Sequence, residues 1–416
     1  MPEYPKFEGW PDGENNILPG NELPVTALRR SVNYDITDTG DLLTRRGRTK
    51  IYSGTPMPRT LYSNGRRVLF VEGGSLWELI NQFGTWTRML VRLNVGSHPM
   101  AYVSVNNDIY WSNTIMTGIL TDGGEDLPWG VTGPANQPTV LSGSSGGSLA
   151  AGRYQVAITF VSARGEESGT PTAAEVDVSA GGAIEVRDIP TPVDGSSINI
   201  YCSSPGGEGL YKVATVLPGT PIYRIAAVSN AQGRRLQTQF RMAPPAGSVL
   251  EYHEGRIYIA DGNVVWITDP LRYGLVNAVS GFLLYPEPVT VMKSVSDGLY
   301  ICSDQTYWVS GVGTDEFQQV PLLPYGGVAG TGINIPKSDN VAWFSKYGIV
   351  IAGLNAQLTN IQEDKSAIGE FENGAMIYRE QRGLRQIVAT LGSGTQSSYL
   401  APDYVTLENA RRGSAI

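Results

Sequence analysis

The residues able to do chemistry are few and scattered. Histidine occurs only at His98 and His253, and cysteine only at Cys202 and Cys302. Each histidine stands alone beside residues of turn type, so neither belongs to a readable proton-transfer pair. Gly143-Ser144-Ser145-Gly146-Gly147 matches the G-x-S-x-G pattern of a serine nucleophile. That elbow needs a strand before it and a helix after it. Here a Ser/Gly stretch lies on one side and a strand-like run on the other, so the match reads as chance. Glu166-Glu167 sits at the Arg164-Gly165 hairpin tip and reads as solvated. Asp122-Gly123-Gly124-Glu125-Asp126 lacks the alternating oxygens and bidentate acid of a Ca²⁺ loop, and reads as a solvated turn. The chain has no phosphate-binding glycine loop with a lysine, no H-E-x-x-H and no C-x-x-C. No catalytic residue, cofactor or metal is therefore expected, and the chain reads as a non-enzyme. The paired acids of a glycosidase come from different blades, so a carbohydrate-binding or carbohydrate-active propeller, lectin or enzyme, stays open as the rival. Arg45-Arg46-Gly47-Arg48 is the dense positive patch. It is either a solvated strand edge or a contact with a partner chain or a phosphate backbone.

The elements that carry these residues repeat. Glu254 to Pro270 reads as a β-hairpin: a turn at Glu254-Gly255, an aromatic and β-branched run, a tip at Asp261-Gly262-Asn263, and a returning strand that Pro270 must stop. Similar units begin at Gly65, Asp108, Gly298, Asn340 and, more weakly, Gly383. Successive turns lie 42 or 43 residues apart, except for one step of 147 between Asp108 and Gly255. A period in the low forties, with about four short strands per unit, is that of a β-propeller blade. The long step is one repeat plus about a hundred residues, the size of a small β-sandwich. The sequence thus predicts an all-β chain, a β-propeller of about six blades with an inserted immunoglobulin- or fibronectin-like β-sandwich. Trp77, Trp111, Trp266, Trp308 and Trp343 recur at similar places and are assigned to the gaps between blades.

The boundaries follow. Residues 1–60 form an extended N-terminal segment with a closing hairpin. The propeller takes residues 61–133 and 241–391, the sandwich 134–240, and a C-terminal tail 392–416. Within the first segment, 25–30 reads as a short helix. The hairpin around Asp38-Thr39-Gly40-Asp41 would complete the last blade. In the insertion, Leu141 to Ser148 has linker composition, and five runs from Arg153 to Ala214 alternate as strands. Ser229 to Arg241 reads as a polar return to the propeller.

At 416 residues, with 41% hydrophobic residues, two cores are expected. A net charge of −8 argues against binding nucleic acid by charge neutralisation, though not against a wall past which DNA slides. Cys202 and Cys302 are expected as reduced core thiols. Met1 to Gly20 is polar and Pro-rich, and no apolar run approaches the roughly 18–20 residues of a membrane helix. The expectation is a protein made in the cytoplasm, with no membrane insertion of its own.

Asn21 to Asp35, with Ala27, Asn33 and Asp35, leads into Gly40, Leu42, Arg45 and Gly47. This stretch resembles the tail nozzle (tail tubular protein B-like) and packaged-DNA stabilisation proteins of short-tailed bacteriophages. Phe70 to Trp77, Met100 to Trp111, and Gly147 to Tyr154 followed by Ser162 to Ser168 are similar too. The resemblance implies a virion tail protein assembled in the host cytoplasm. It would form a homo-oligomeric ring, a hexamer, below the portal and head-tail adaptor. That ring closes the DNA channel and opens on ejection, with non-specific passage of DNA and with tail fibres as further partners. Fibre docking alone is the remaining alternative.

Overall fold

In a computed structural model of the chain, the described residues are 9–37, 39–45, 47, 49–193, 197–228, 233–363, 365–366, 368–381, 384–392 and 394–396. Every regular element among them is a β-strand. The chain forms two units. One comprises Met1–Arg59, Leu79–Met89 and Tyr285–Ile416, the other Thr60–Glu78 and Leu90–Leu284.

The N-terminal segment pairs Gly13–Glu14 (β1) in parallel with Ala27–Leu28 (β2), where the sequence predicts a helix. Asp12 N donates to Thr26 O and Asn15 N to Leu28 O, so these carbonyls are committed to another segment. Tertiary pairing here outweighs local propensity. Tyr34–Ile36 (β3) and Leu42–Thr44 (β4) form a hairpin. It is a two-stranded sheet of its own and adds no strand to a repeat, contrary to the expected closure.

Two repeats have the blade form of four strands in chain order. The first is Arg59–Ser63 (β5), Val68–Glu72 (β6), Ser75–Gln82 (β7) and Thr85–Arg92 (β8). The second is Ala101–Val105 (β9), Asp108–Ser112 (β10), Thr117–Leu120 (β11) and Asp126–Leu127 (β12). Their tight turns use residues that tolerate positive φ, as at Asn106 (53°) and Asn107 (72°), which match a two-residue hairpin.

The insertion is a two-sheet sandwich. Its strands are Thr139–Gly143 (β13), Gly152–Val161 (β14), Ala174–Val178 (β15), Ala183–Arg187 (β16), Ser197–Ser203 (β17), Leu210–Val216 (β18) and Ile222–Ile225 (β19). One sheet runs β13-β16-β19, the other β15-β14-β17-β18. Val156, Ile158, Ile184, Val186, Ile198 and Ile200 meet between them, all fully buried. β13 includes Leu141 to Gly143, which the sequence reads as linker. Its ladder to β16 makes it a strand despite its Ser/Gly content. The return segment is not a free polar linker either. Leu236 N donates to Leu210 O and Lys212 N to Arg234 O, laying it along the free edge of β18 with Leu236 buried against Ala157 and Tyr201.

The third repeat is enlarged: Arg241–Met242 (β20), Val249–His253 (β21), Arg256–Asp261 (β22), Val264–Asp269 (β23), Arg272–Asn277 (β24) and Phe282–Leu284 (β25). β23 ends at Asp269, before Pro270. Its first half pairs with β25 and its end with β24, so two strands share the outer position. The fourth repeat is Val291–Val295 (β26), Gly298–Cys302 (β27), Thr306–Ser310 (β28) and Gln318–Leu323 (β29). The fifth is Ile333–Ile335 (β30), Asn340–Ser345 (β31), Gly348–Ala352 (β32) and Leu358–Asn360 (β33). Both are four-stranded in chain order. The sixth differs: Gly369–Phe371 (β34) pairs Gly394–Gln396 (β37), while Gly374–Gln381 (β35) pairs Leu384–Leu391 (β36).

Consecutive repeats share cores. Leu69, Val71 and Leu76 of the first pack with Ile109 and Trp111 of the second. Val105, Tyr110 and Ile119 of the second pack with Leu250, Ile257 and Ile259 of the third, across the insertion in sequence. Ser112 Oγ bonds the main chain of Gly247, 135 positions on, at 3.0 and 2.8 Å. In the other unit, Tyr300 and Trp308 join Val341 and Trp343, and Phe344 and Ile349 join Met376. Neighbour-to-neighbour burial of this kind is how blade-like sheets cover both faces.

Candidate functional site

Two places gather polar groups, one in each unit. The first is built by the N-terminal hairpin. Asp35 on β3 is buried, and its carboxylate accepts from Arg45 Nε at 3.0 Å and from Arg379 Nη2 of β35 at 3.0 Å. Arg379 also donates Nε to Gln386 Oε1 of β36 at 3.1 Å. Burial pushes the Asp35 carboxyl up. Hydrogen bonds from Arg45 and Gln386, with the charges of Arg45 and Arg379, outweigh it and hold the group below the ordinary carboxylate range. Asn33 and Gly40 belong to the same hairpin. Asn33 has φ of 62° and its carbonyl receives Arg45 N at 2.7 Å. A Cβ on Gly40 would lie 2.9 Å from Trp10 N, whose N–H donates to Gly40 O. Of the three arginines read as a solvated strand edge or a partner contact, Arg45 is an ion-pair donor to Asp35, with its side chain 48% exposed. Arg46 and Arg48 lie outside the described residues.

The second place is the outer face of the sandwich. Thr159 on β14 lies directly opposite Asn199 on β17, and Ala157 opposite Tyr201. Over them sits Glu167, whose Oε1 accepts from Thr159 Oγ1 at 2.5 Å, Asn199 Nδ2 at 3.0 Å and Tyr201 OH at 2.5 Å. Burial raises the Glu167 carboxyl, and these three bonds, with the charge of Arg234, lower it further, leaving a held carboxylate. The reading of Glu166-Glu167 as simply solvated therefore holds for Glu166, which pairs with Arg164 at 2.9 Å, and fails for Glu167. Three polar side chains on the strand face turned from the core were the available signal. Beside this cluster is a cavity of about 370 Å³, lined by Tyr110, Glu166, Glu167, Arg234, Arg272 and Tyr273. Tyr110 and Tyr273 meet edge-on, ring centroids 5.8 Å apart. Burial, then the charge of Asp108, raises the Tyr110 phenol, so it stays protonated at neutral pH.

The other chemical candidates have structural partners. His98 Nδ1 meets Thr114 Oγ1 at 3.0 Å, and His253 is buried 3.8 Å from the Glu254 carboxylate. Ser145 lies in a loop after β13 with no helix following, and its carbonyl accepts from Arg224 Nη2 at 2.7 Å. The Asp122 to Asp126 stretch is not wholly solvated. Asp126 pairs with Arg92 at 2.5 Å and accepts from Trp111 Nε1 at 3.2 Å. Cys202 and Cys302 are free and buried, and burial pushes both thiols up to about 12. The tryptophans occupy two positions, not one: Trp111 and Trp343 are on the first strand of their hairpins, Trp77, Trp266 and Trp308 on the second. Among the described residues, no group of three or more His, Cys, Asp or Glu could hold a metal ion.

No protein-family model matches the sequence, and no curated protein matches it. Among solved structures, the AfRom2 CNH domain is 9% identical, with 81% of this chain and 94% of that chain covered, at a TM-score of 0.27. Apo AztD from Citrobacter koseri is 12% identical, with 82% and 76% covered, at a TM-score of 0.31. Neither score bears on function.

Proposed function

We propose that this protein is a structural subunit of the tail of a short-tailed bacteriophage, one copy in a nozzle ring. In this reading identical copies close around an axis, a hexamer, below the portal and head-tail adaptor. They shut the DNA channel in the virion and open it on ejection. The observation that carries the reading is the use of the resemblance stretch, Ala27 to Gly47. Its Asn33, Asp35, Gly40 and Arg45 build an anchor onto the last repeat and are not spent on a reactive site. Neighbour-stacked repeats within each unit supply the kind of building block that a closed ring of identical copies uses. The net charge of −8 suits a wall that repels phosphate. The anchor also alters the role of the Arg45 patch: Arg45 braces the subunit itself.

Electron microscopy of the purified chain, alone and with its adaptor, tests the proposal. Closed rings that stack on the adaptor are expected, and monomers under every assembly condition would overturn it. The carbohydrate-active rival needs an acid held protonated near neutral pH. Glu167, which lines the cavity beside the sandwich, has its carboxyl lowered instead.

A further inference from the structure

We propose that the cavity beside Glu167 is a binding site for a carboxylated sugar, one pyranose unit bearing a single carboxylate. At about 370 Å³ it falls in the roughly 300–1,000 Å³ range of small-ligand sites. Arg234 and Arg272 line it, and neither guanidinium donates a hydrogen bond or forms an ion pair within the described residues. A planar guanidinium fork matches a carboxylate with two parallel bonds. Glu166 is balanced by Arg164 and Arg234 stabilises the Glu167 carboxylate through its charge, which leaves Arg272 as the further cation in the lining. Among the described residues the hydrogen bonds to Glu167 go to Oε1, so Oε2 is left to accept from sugar hydroxyls. Tyr273, half-buried and braced edge-on by Tyr110, lines the cavity with an aromatic ring of the kind that covers the apolar C–H face of a pyranose. Glu167 is held as a carboxylate, an acceptor for hydroxyl groups, and the proposed role is binding without turnover. The site lies within one subunit and does not depend on ring formation, so its test stands apart from that of the nozzle reading.

Isothermal titration calorimetry of the full chain with glucuronate, glucose, acetate and inorganic phosphate decides it. Saturable binding of glucuronate is expected, with each of the other three weaker by about tenfold or more. Arg272→Ala and Arg234→Ala are each expected to weaken glucuronate by about tenfold. Arg224→Ala, whose guanidinium bonds Ser145 O at 2.7 Å away from the cavity lining, leaves it unchanged. Melting curves check that the variants fold, and the exposed Arg234 keeps the test decisive if Arg272→Ala does not. Three results would overturn the proposal: no saturable glucuronate binding, acetate or phosphate binding as tightly as glucuronate, or both arginine variants binding like the parent. Release of free sugar from a glucuronide would overturn the assignment as a binding site without turnover.

Discussion

The sandwich and the blade-like repeats are both stacks of short β-strands, yet they hide their apolar faces in opposite ways. The sandwich closes on itself. Ile158 and Ile200 from one sheet meet Ile184 and Val186 from the other, and that core is complete inside the insertion apart from Val131 at its edge. A repeat owns no complete core. Trp343 of the fifth packs with Tyr300 and Trp308 of the fourth, while Phe344, the next residue on the same strand, packs with Met376 of the sixth. Alternate side chains of one strand thus serve two different neighbours. Damage to the sandwich core should stay local, whereas damage in a repeat should spread along the stack.

The sharpest way to break this contrast is Trp343→Ala. It should cost about 3–5 kcal/mol and loosen the fourth and fifth repeats together, seen as hydrogen-exchange protection lost in both β27 and β31. Loss confined to the fifth repeat would undo the shared-core account. Next, Ile158→Ala should cost about 2–5 kcal/mol, confined to the sandwich. The two buried thiols report the difference, since Cys202 lies in the sandwich and Cys302 in the fourth repeat. In mild denaturant a thiol reagent should label Cys202 faster in this variant and leave the rate at Cys302 unchanged. Gly118→Ala comes third. Gly118 pairs directly with Trp111, and a Cβ there would sit 2.2 Å from Trp111 Cζ2. Overpacking of this kind costs about 1–3 kcal/mol, read as a lowered melting temperature. The smallest effect is expected from Asp35→Asn, and it depends on pH. The folded Asp35 carboxyl is held below its ordinary value. Its contribution is therefore present above the unfolded value, about 3.9, and disappears as pH falls through the lower folded value. Melting temperatures of parent and variant should differ at neutral pH and converge in acid. A constant gap across that window would remove Asp35 from the anchor.

Much of the repeat pattern could be read directly from residues, because turn chemistry and aromatic runs speak for themselves over a dozen positions. The hairpins at Arg256–Asp261 with Val264–Asp269, and at Gly298–Cys302 with Thr306–Ser310, are of this kind. What escaped was decided by distant partners. Thr139–Gly143 is a strand because β16 supplies its ladder, and 27–28 is extended because residues 12–15 claim the carbonyls of Thr26 and Leu28. The two polar sites were hidden for the same reason. Asp35 meets Arg379 across 344 positions, a separation no local pattern reveals. Glu167 could have been suspected from the polar residues Thr159, Asn199 and Tyr201 on strands otherwise rich in Ile and Val, although the group they serve lies in a loop.

The bond from Ser112 to Gly247 also sets an order of events on the ribosome. The second repeat cannot bury its face toward the third until 135 further residues have been made, roughly 7–27 s of synthesis at about 5–20 residues per second. The sandwich emerges within that interval, carrying its own interior, and can fold while its host waits. A nascent-chain protease assay should find the insertion resistant before the half-built repeat that precedes it.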